Sequence, residues 1–270
     1  MRRILFLLLL TACAARAEDG RPGTLLKLND FGSDDVAYFA IPAQAPRGGV
    51  VVIHDSRGLV DADKDRVDRL AKEGYIAVAP DLFNGQTAPD TVRAEDLRRQ
   101  LDPESAQRTI AAAVNFLRQS PRFRAARVGV AGWGMGAPLA VEAALRAEAE
   151  REPLDAVACL GGPLPEGAQD LSRLGAPVLF VTSDAASTPE ARERFGKSLE
   201  TLHKEAELYL LPGGSAEEEE ALSWQKVLGF LTHSFSEKPK KTGLIKSTWQ
   251  KLFPSKASAP QAAKAAPANG

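Results

Sequence analysis

Between residues 36 and 235, short apolar runs alternate with segments whose apolar residues recur every three or four positions. That alternation predicts strands and helices laid in turn into a mostly parallel sheet. Strands are predicted at residues 36–41, 49–54, 75–79, 127–131, 156–160, 177–181 and 207–211. Runs such as Val50-Val51-Val52-Ile53 and Ile76-Ala77-Val78-Ala79 are apolar throughout, as befits strands covered on both faces. Helices are predicted at 61–73, where Val67, Leu70 and Ala71 share a face before Gly74, and after Asp102-Pro103, an N-cap followed by proline at the first helical position. In the latter, Ile110, Val114 and Leu117 form a stripe that Ser120-Pro121 ends. Residues 135–146, 189–203 and 217–235 complete the set, the last with Trp224, Val227, Leu228 and Leu231 at helical spacing. Its opening run, Glu217 to Glu220, complements a helix dipole. The fold class is therefore α/β, a mostly parallel central sheet with helices on both faces.

The two ends depart from this pattern. Arg2 and Arg3 precede a short apolar stretch, residues 4–10, well under the roughly 20 residues a membrane span needs. The stretch reads as an export signal. Two processing sites compete: Ala15-Arg16-Ala17 is an A-x-A cleavage pattern, giving a signal peptide of residues 1–17, and Leu10-Thr11-Ala12-Cys13 resembles a bacterial lipobox ending in the cysteine that would be lipidated. Both imply an exported bacterial protein, periplasmic or anchored to the outer membrane as a lipoprotein. Residues 18–235 form the domain, and residues 236–270 are a tail rich in Ala, Pro and Lys with little to bury, expected to be disordered.

Composition fits one domain of about 200 residues with appendages. The formal net charge of −1 gives no sign of nucleic-acid binding. The charge is unevenly spread, however, because the tail holds seven lysines against the single acid Glu237. Leu244, Ile245, Trp249, Leu252 and Phe253, interleaved with Lys246 and Lys251, either contact a membrane or envelope surface or pack back on the domain. Cys159 is the one cysteine besides Cys13 and reads as a small hydrophobe in a buried strand.

Candidate chemistry concentrates at Gly132-Trp133-Gly134-Met135-Gly136, where a predicted strand turns into a helix. Strand, sharp turn and helix are the context of a nucleophile elbow, in which flanking glycines allow the turn and the central side chain is exposed. Here the centre is Gly134, which has no side chain. A dinucleotide fingerprint requires a different glycine spacing and a first-strand position. No spaced His, Cys or carboxylate set suggests a metal, and nothing in the chain calls for a cofactor.

Three separated segments together resemble the dienelactone hydrolases of the α/β-hydrolase superfamily: Val50 to Leu59, Asp68 to Phe83, and Gly132 to Gly136. The resemblance covers residues 36–235 and implies an α/β-hydrolase fold and a Cys-His-Asp triad for hydrolysis of esters or lactones. The cysteine would stand at Gly134. The acid would follow the strand at 177–181, where Asp184 is the candidate, and the histidine would lie in a segment like P-G-x-x-H, where Leu211 to Glu217 contains none. His203 and His233 fall on predicted helices outside that segment.

Loss of a triad nucleophile or base removes on the order of 10⁶ in kcat. The resemblance therefore implies a catalytically impaired protein, a pseudoenzyme with a scaffold or ligand-binding role. The oxyanion-hole donors are backbone groups and survive side-chain change; they would be the N–H groups of Met135 and Ser56. A small carbonyl or carboxylate compound is the expected ligand. The alternative is an active hydrolase with a rearranged site using His54, Ser56 and Asp184, although adjacent residues on an extended strand point to opposite faces. His54 otherwise reads as a strand-end residue bonded within the fold, and Asp55 with Arg57 as a local ion pair. A third possibility makes the tail the functional part and the domain a passive body.

Overall fold

The computed structural model describes residues 21–166, 169–202 and 205–236. The predicted export signal with Cys13, His203 and the lysine-rich tail from Glu237 lie outside the described residues. Eight strands form one sheet: β1 (Thr24–Lys27), β2 (Val36–Ala40), β3 (Gly49–Ile53), β4 (Ile76–Pro80), β5 (Val128–Trp133), β6 (Ala156–Leu160), β7 (Val178–Thr182) and β8 (Ala206–Leu210). Six α-helices accompany them: α1 (Asp61–Lys72), α2 (Thr91–Gln100), α3 (Pro103–Gln119), α4 (Gly136–Ala149), α5 (Pro189–Leu202) and α6 (Ala216–Ser236). None of the described helices is long and apolar enough to cross a membrane.

The sheet order is β1-β2-β4-β3-β5-β6-β7-β8. β2 pairs antiparallel with β1 and β4, and every other neighbouring pair is parallel. Strands β3 to β7 are buried along their whole length, which is why their sequences carry no polar alternation. One face packs on apolar residues of α2, α3, α4 and α5, among them Leu97, Ile110, Ala140 and Phe195. The other packs on α1 and α6 through Val67, Leu70, Trp224 and Val227.

All seven predicted strands and five predicted helices are present, with ends shifted by up to three residues. The structure adds β1, a four-residue edge strand, and α2, which buries only Ala94 and Leu97 and so lacks a full apolar stripe. The predicted caps are built as their sequences suggest. The Asp102 carboxylate accepts the Ser105 N–H at 2.9 Å. Gly74, at φ +95°, closes α1 as its N–H bonds Ala71 O while Tyr75 N–H bonds Leu70 O, a Schellman arrangement.

Strand order places the candidate site. The chain leaves β3 for β4 on one side and then crosses to β5 on the other, so the sheet has its switch point between β3 and β5. Ligands of open α/β sheets bind outside the carboxyl ends of strands at such a point. Here those ends carry His54 and Asp55 after β3 and Gly134 after β5.

α1 is tied to the sheet by a buried polar pair. The Tyr38 hydroxyl on β2 donates to both Asp68 oxygens, at 3.0 and 3.1 Å. Burial, then the Asp68 hydrogen bond and charge, pushes the Tyr38 hydroxyl above its ordinary range, and burial also raises the Asp68 carboxyl. Tyr38→Phe leaves the carboxylate short of a donor and should lower unfolding free energy by about 1–3 kcal/mol at neutral pH in urea titrations. Because Tyr38 titrates higher when folded, its contribution is complete below about pH 10 and declines as pH rises further. The gap between wild type and Tyr38→Phe should narrow above that pH.

Candidate active site

The turn from β5 to α4 is made by glycines in close backbone contact. A Cβ on Gly132 would lie 2.0 Å from Gly136 O, one on Gly136 would lie 2.4 Å from Ile53 O, and one on Gly162 would lie 2.5 Å from Gly134 O. No side chain fits at these three points. Gly134 itself has φ +52°, the left-handed conformation that a strand-to-helix elbow imposes on its central residue. Its neighbour Trp133 is buried, with the Arg66 guanidinium 4.6 Å from the ring centre. Arg66 also pairs with Asp63 at 2.8 Å. The Asp63 carboxyl is pushed up by burial and pulled back by that guanidinium.

The space over Gly134 is filled by Asp55. A Cβ on residue 134 would lie 2.2 Å from Asp55 Oδ1 and 2.6 Å from Oδ2. Oδ1 accepts the Ser56 N–H at 2.7 Å and the Met135 N–H at 2.8 Å. The two backbone donors singled out from the sequence therefore converge on one oxygen, and that oxygen belongs to the chain itself. The ion pair expected between Asp55 and Arg57 is absent from the described residues; Arg57 is exposed, and its carbonyl accepts the Ala88 N–H at 3.0 Å. Two oriented N–H groups hold the carboxylate without the conformational entropy that pinning a long exposed side chain requires.

His54 is fully buried. Its Nδ1 is 2.7 Å from Asp55 O, and its Nε2 accepts the Leu82 N–H at 3.0 Å. A carbonyl oxygen can only accept and an amide N–H can only donate, so the ring is the neutral Nδ1–H form with both nitrogens engaged. It ties the end of β3 to the loop after β4 and has no free nitrogen with which to take a proton from Ser56. The Ser56 residue is half-buried beside it.

Asp184 follows β7, at the end of the sheet where the acid was expected. It pairs with Arg192 of α5 at 2.6 Å rather than with a histidine. Arg192 is buried, its side chain 5% exposed, whereas that of Asp184 is 80% exposed. Asp184 therefore serves as the surface partner of a buried guanidinium and is not brought together with His54 or Ser56 by any described hydrogen bond.

The segment from Leu211 to Glu217 is a helix start. Ser215 N–H donates to Glu218 Oε2 at 2.9 Å, and Glu218 N–H donates to Ser215 Oγ at 3.3 Å, a reciprocal capping box. Ser215 and Glu218 stand three apart immediately before an apolar helical pattern, so the sequence itself carries the signal for this cap. His233 is exposed on the last turns of α6. Cys159 is buried in β6 with its Sγ 3.5 Å from Ala137 O, and burial raises its thiol far above the ordinary range. It is no nucleophile. Among the described residues, no group of three or more His, Cys, Asp or Glu side chains is arranged to hold a metal.

The comparisons agree with this architecture. The family model described as "Dienelactone hydrolase family" matches residues 36–235. A probable 2-oxo-3-(5-oxofuran-2-ylidene)propanoate lactonase of Bradyrhizobium sp is 32% identical over 117 residues, 42% of this chain and 47% of that protein. A carboxymethylenebutenolidase of Pseudomonas putida is 26% identical over 153 residues, 53% of this chain and 63% of that protein. The matches thus span about half to two thirds of these relatives' lengths. Among solved structures, a dienelactone hydrolase-like promiscuous phosphotriesterase from metagenomic libraries superposes with a TM-score of 0.64 at 22% identity, covering 78% of this chain and 98% of that one. The dienelactone hydrolase from Anabaena variabilis gives 0.62 at 20%, covering 78% and 97%. With its eight-stranded, mostly parallel sheet flanked by helices, the chain has the α/β-hydrolase fold, and it belongs to the dienelactone hydrolase family.

Proposed function

We propose that this protein is an exported, catalytically silent dienelactone hydrolase-like protein with a scaffold or ligand-binding role. The observation that carries the reading is the Asp55 carboxylate, which occupies both the space of a side chain at residue 134 and the two N–H groups that would stabilise an oxyanion. Acyl transfer needs a nucleophile, a base and a place for developing negative charge. The first is missing, the buried His54 is engaged at both nitrogens, and the third is taken. Export and attachment are supported by the sequence of residues 1–17, and envelope contact by the lysines and aromatics of residues 236–270.

Wild type and Gly134→Cys should both hydrolyse small aryl esters and a dienelactone at the background rate in steady-state assays. Wild-type turnover abolished by Ser56→Ala would instead establish a rearranged active site.

Gly134 and Asp55 should be energetically coupled. Gly134→Ala places a Cβ against the carboxylate and puts a non-glycine residue at positive φ, a strain of about 1–2 kcal/mol before the collision is counted. The loss of stability should be smaller when Asp55→Gly is already present. A double-mutant cycle by urea unfolding should return a coupling within the range of about 0.5–3 kcal/mol found for residues in contact, and a coupling near zero would place Asp55 elsewhere in solution.

Processing is read by the mass of the protein recovered from a bacterial envelope. Cleavage after Ala17 leaves the soluble form, whereas a diacylglycerol adduct on Cys13 marks the lipoprotein. Truncation after Ser236 should reduce envelope association of the soluble form. Unchanged association would remove the tail from that role.

A further inference from the structure

We infer that the outer edge of β8 is a self-association surface, on which a second copy of this chain pairs antiparallel so that one sheet continues through both molecules. The inference is independent of whether the elbow turns over an ester. β8 is the last strand in the sheet order and pairs with β7 alone. The parity of its hydrogen bonds settles which groups face outward. Val178 N–H donates to Glu205 O at 3.1 Å and Leu211 N–H donates to Thr182 O at 2.8 Å, so the odd-numbered residues from 205 to 211 turn toward β7. The N–H and C=O groups of Ala206, Leu208 and Leu210 therefore point away from the sheet, and they have no partner among the described residues. Natural edge strands are commonly blunted by proline, lysine or a bulge. β8 reads Ala-Glu-Leu-Tyr-Leu, keeps an unbroken register against β7, and has none of these.

The edge is complementary to itself. A twofold axis normal to the sheet at Leu208 sets Leu208 opposite its own copy and Ala206 opposite Leu210. All three outward residues then fall in hydrogen-bonded pairs, each exchanging two N–H···O bonds. Glu207 lies opposite Tyr209 in the non-hydrogen-bonded positions, with Cα atoms about 4.5 Å apart and side chains on the same face. That face is the one covered by α6. Tyr209 packs on the apolar layer there, and Lys226 of α6 has its Nζ 4.0 Å from the Tyr209 ring centre. Glu207 is exposed, Lys226 is half-buried, and neither makes an ion pair among the described residues. The twofold turns the Glu207 carboxylate of each copy toward the Lys226 ammonium of the other, so the charge match occurs twice. This match selects a second copy as the occupant over an unrelated strand. A pairing of five residues a side is small, so the dimer forms in a concentration-dependent equilibrium.

Sedimentation velocity of the full chain from about 1 µM to about 1 mM, the span in which weak association is read, should show monomer passing to dimer. Over the same range, amide exchange at Ala206, Leu208 and Leu210 should slow several-fold, while Glu207 and Tyr209, already turned toward β7, should not change. Ala206→Pro removes an outward N–H and none that β7 uses, so it should abolish the dimer and leave the far-UV circular dichroism unchanged. Glu207→Lys and Lys226→Glu each set like charges across the edge and should raise the dissociation constant on the order of 10-fold, and by less at high salt. The two substitutions together reverse the pair and should restore the wild-type value.

A monomer at every concentration would overturn the inference. So would a dimer that survives Ala206→Pro, or one in which the amides of residues 206, 208 and 210 exchange as in the monomer, because it would lie on another surface. Charge reversals without effect, or with no rescue in the double variant, would remove the match that selects a second copy. Edge amides protected at every concentration and released by truncation after Ser236 would make the chain's own tail the occupant, and that outcome overturns the inference as well.

Discussion

The structure turns on the close approach of two backbones at the sheet's switch point. The end of β3 and the turn into α4 come so near that Gly136 has no room for a Cβ against Ile53 O, and Gly132 has none against Gly136 O. That proximity brings the N–H groups of residues 56 and 135 within reach of one acceptor. In an enzyme built this way, the acceptor is an oxygen that becomes negative during reaction. In this chain the acceptor is already negative and is covalently attached next to one of the donors, at Asp55. The two polar groups are satisfied within the chain.

Much of the fold was legible because its signals are local and redundant. Parallel strands buried on both faces read as apolar runs, and Gly74 and Asp102 mark helix boundaries through backbone rules that act within a few residues. β1 and α2 escaped because the first has four residues at the sheet edge and the second buries two apolar side chains. The position of Gly134 was legible for the same reason, since the flanking glycines fix the register. The destination of the Asp55 side chain was not. It depends on the absence of a Cβ at a residue 79 positions away and on the direction of an amide on another element, and neither is visible in a window around residue 55. A neighbouring arginine suggested an ion pair; two oriented amides prevailed because they are fixed in place and partly screened from water.

His54 illustrates the opposite case. Alternation along an extended segment predicts that residues 54 and 55 face different ways, and they do: the imidazole turns toward Leu82 and the carboxylate toward Gly134. That geometry keeps the two from forming a relay even though they are adjacent, and it gives each a separate structural task. The ring ties the loop after β4 to the end of β3, and the carboxylate ties the end of β3 to α4.

The positions at which the family resemblance sets a triad and its oxyanion donors are thus employed in holding the fold. The segment expected to carry a histidine closes the N-terminus of α6 through Ser215 and Glu218, Asp184 neutralises the buried Arg192, and Asp55 saturates the elbow. Each arrangement satisfies polar groups that an open, water-filled active site would leave to solvent or substrate, and functional sites commonly carry strain and unsatisfied groups for that reason. A cysteine at residue 134 would supply a thiol, whereas His54, the buried histidine at the end of β3, is engaged at both ring nitrogens. The new Cβ would also have to displace a charge-assisted hydrogen-bonded carboxylate before a substrate could approach. The α/β scaffold is held by strand pairing and two apolar layers, neither of which depends on the polar groups at the elbow, so the fold does not by itself fix the chemistry.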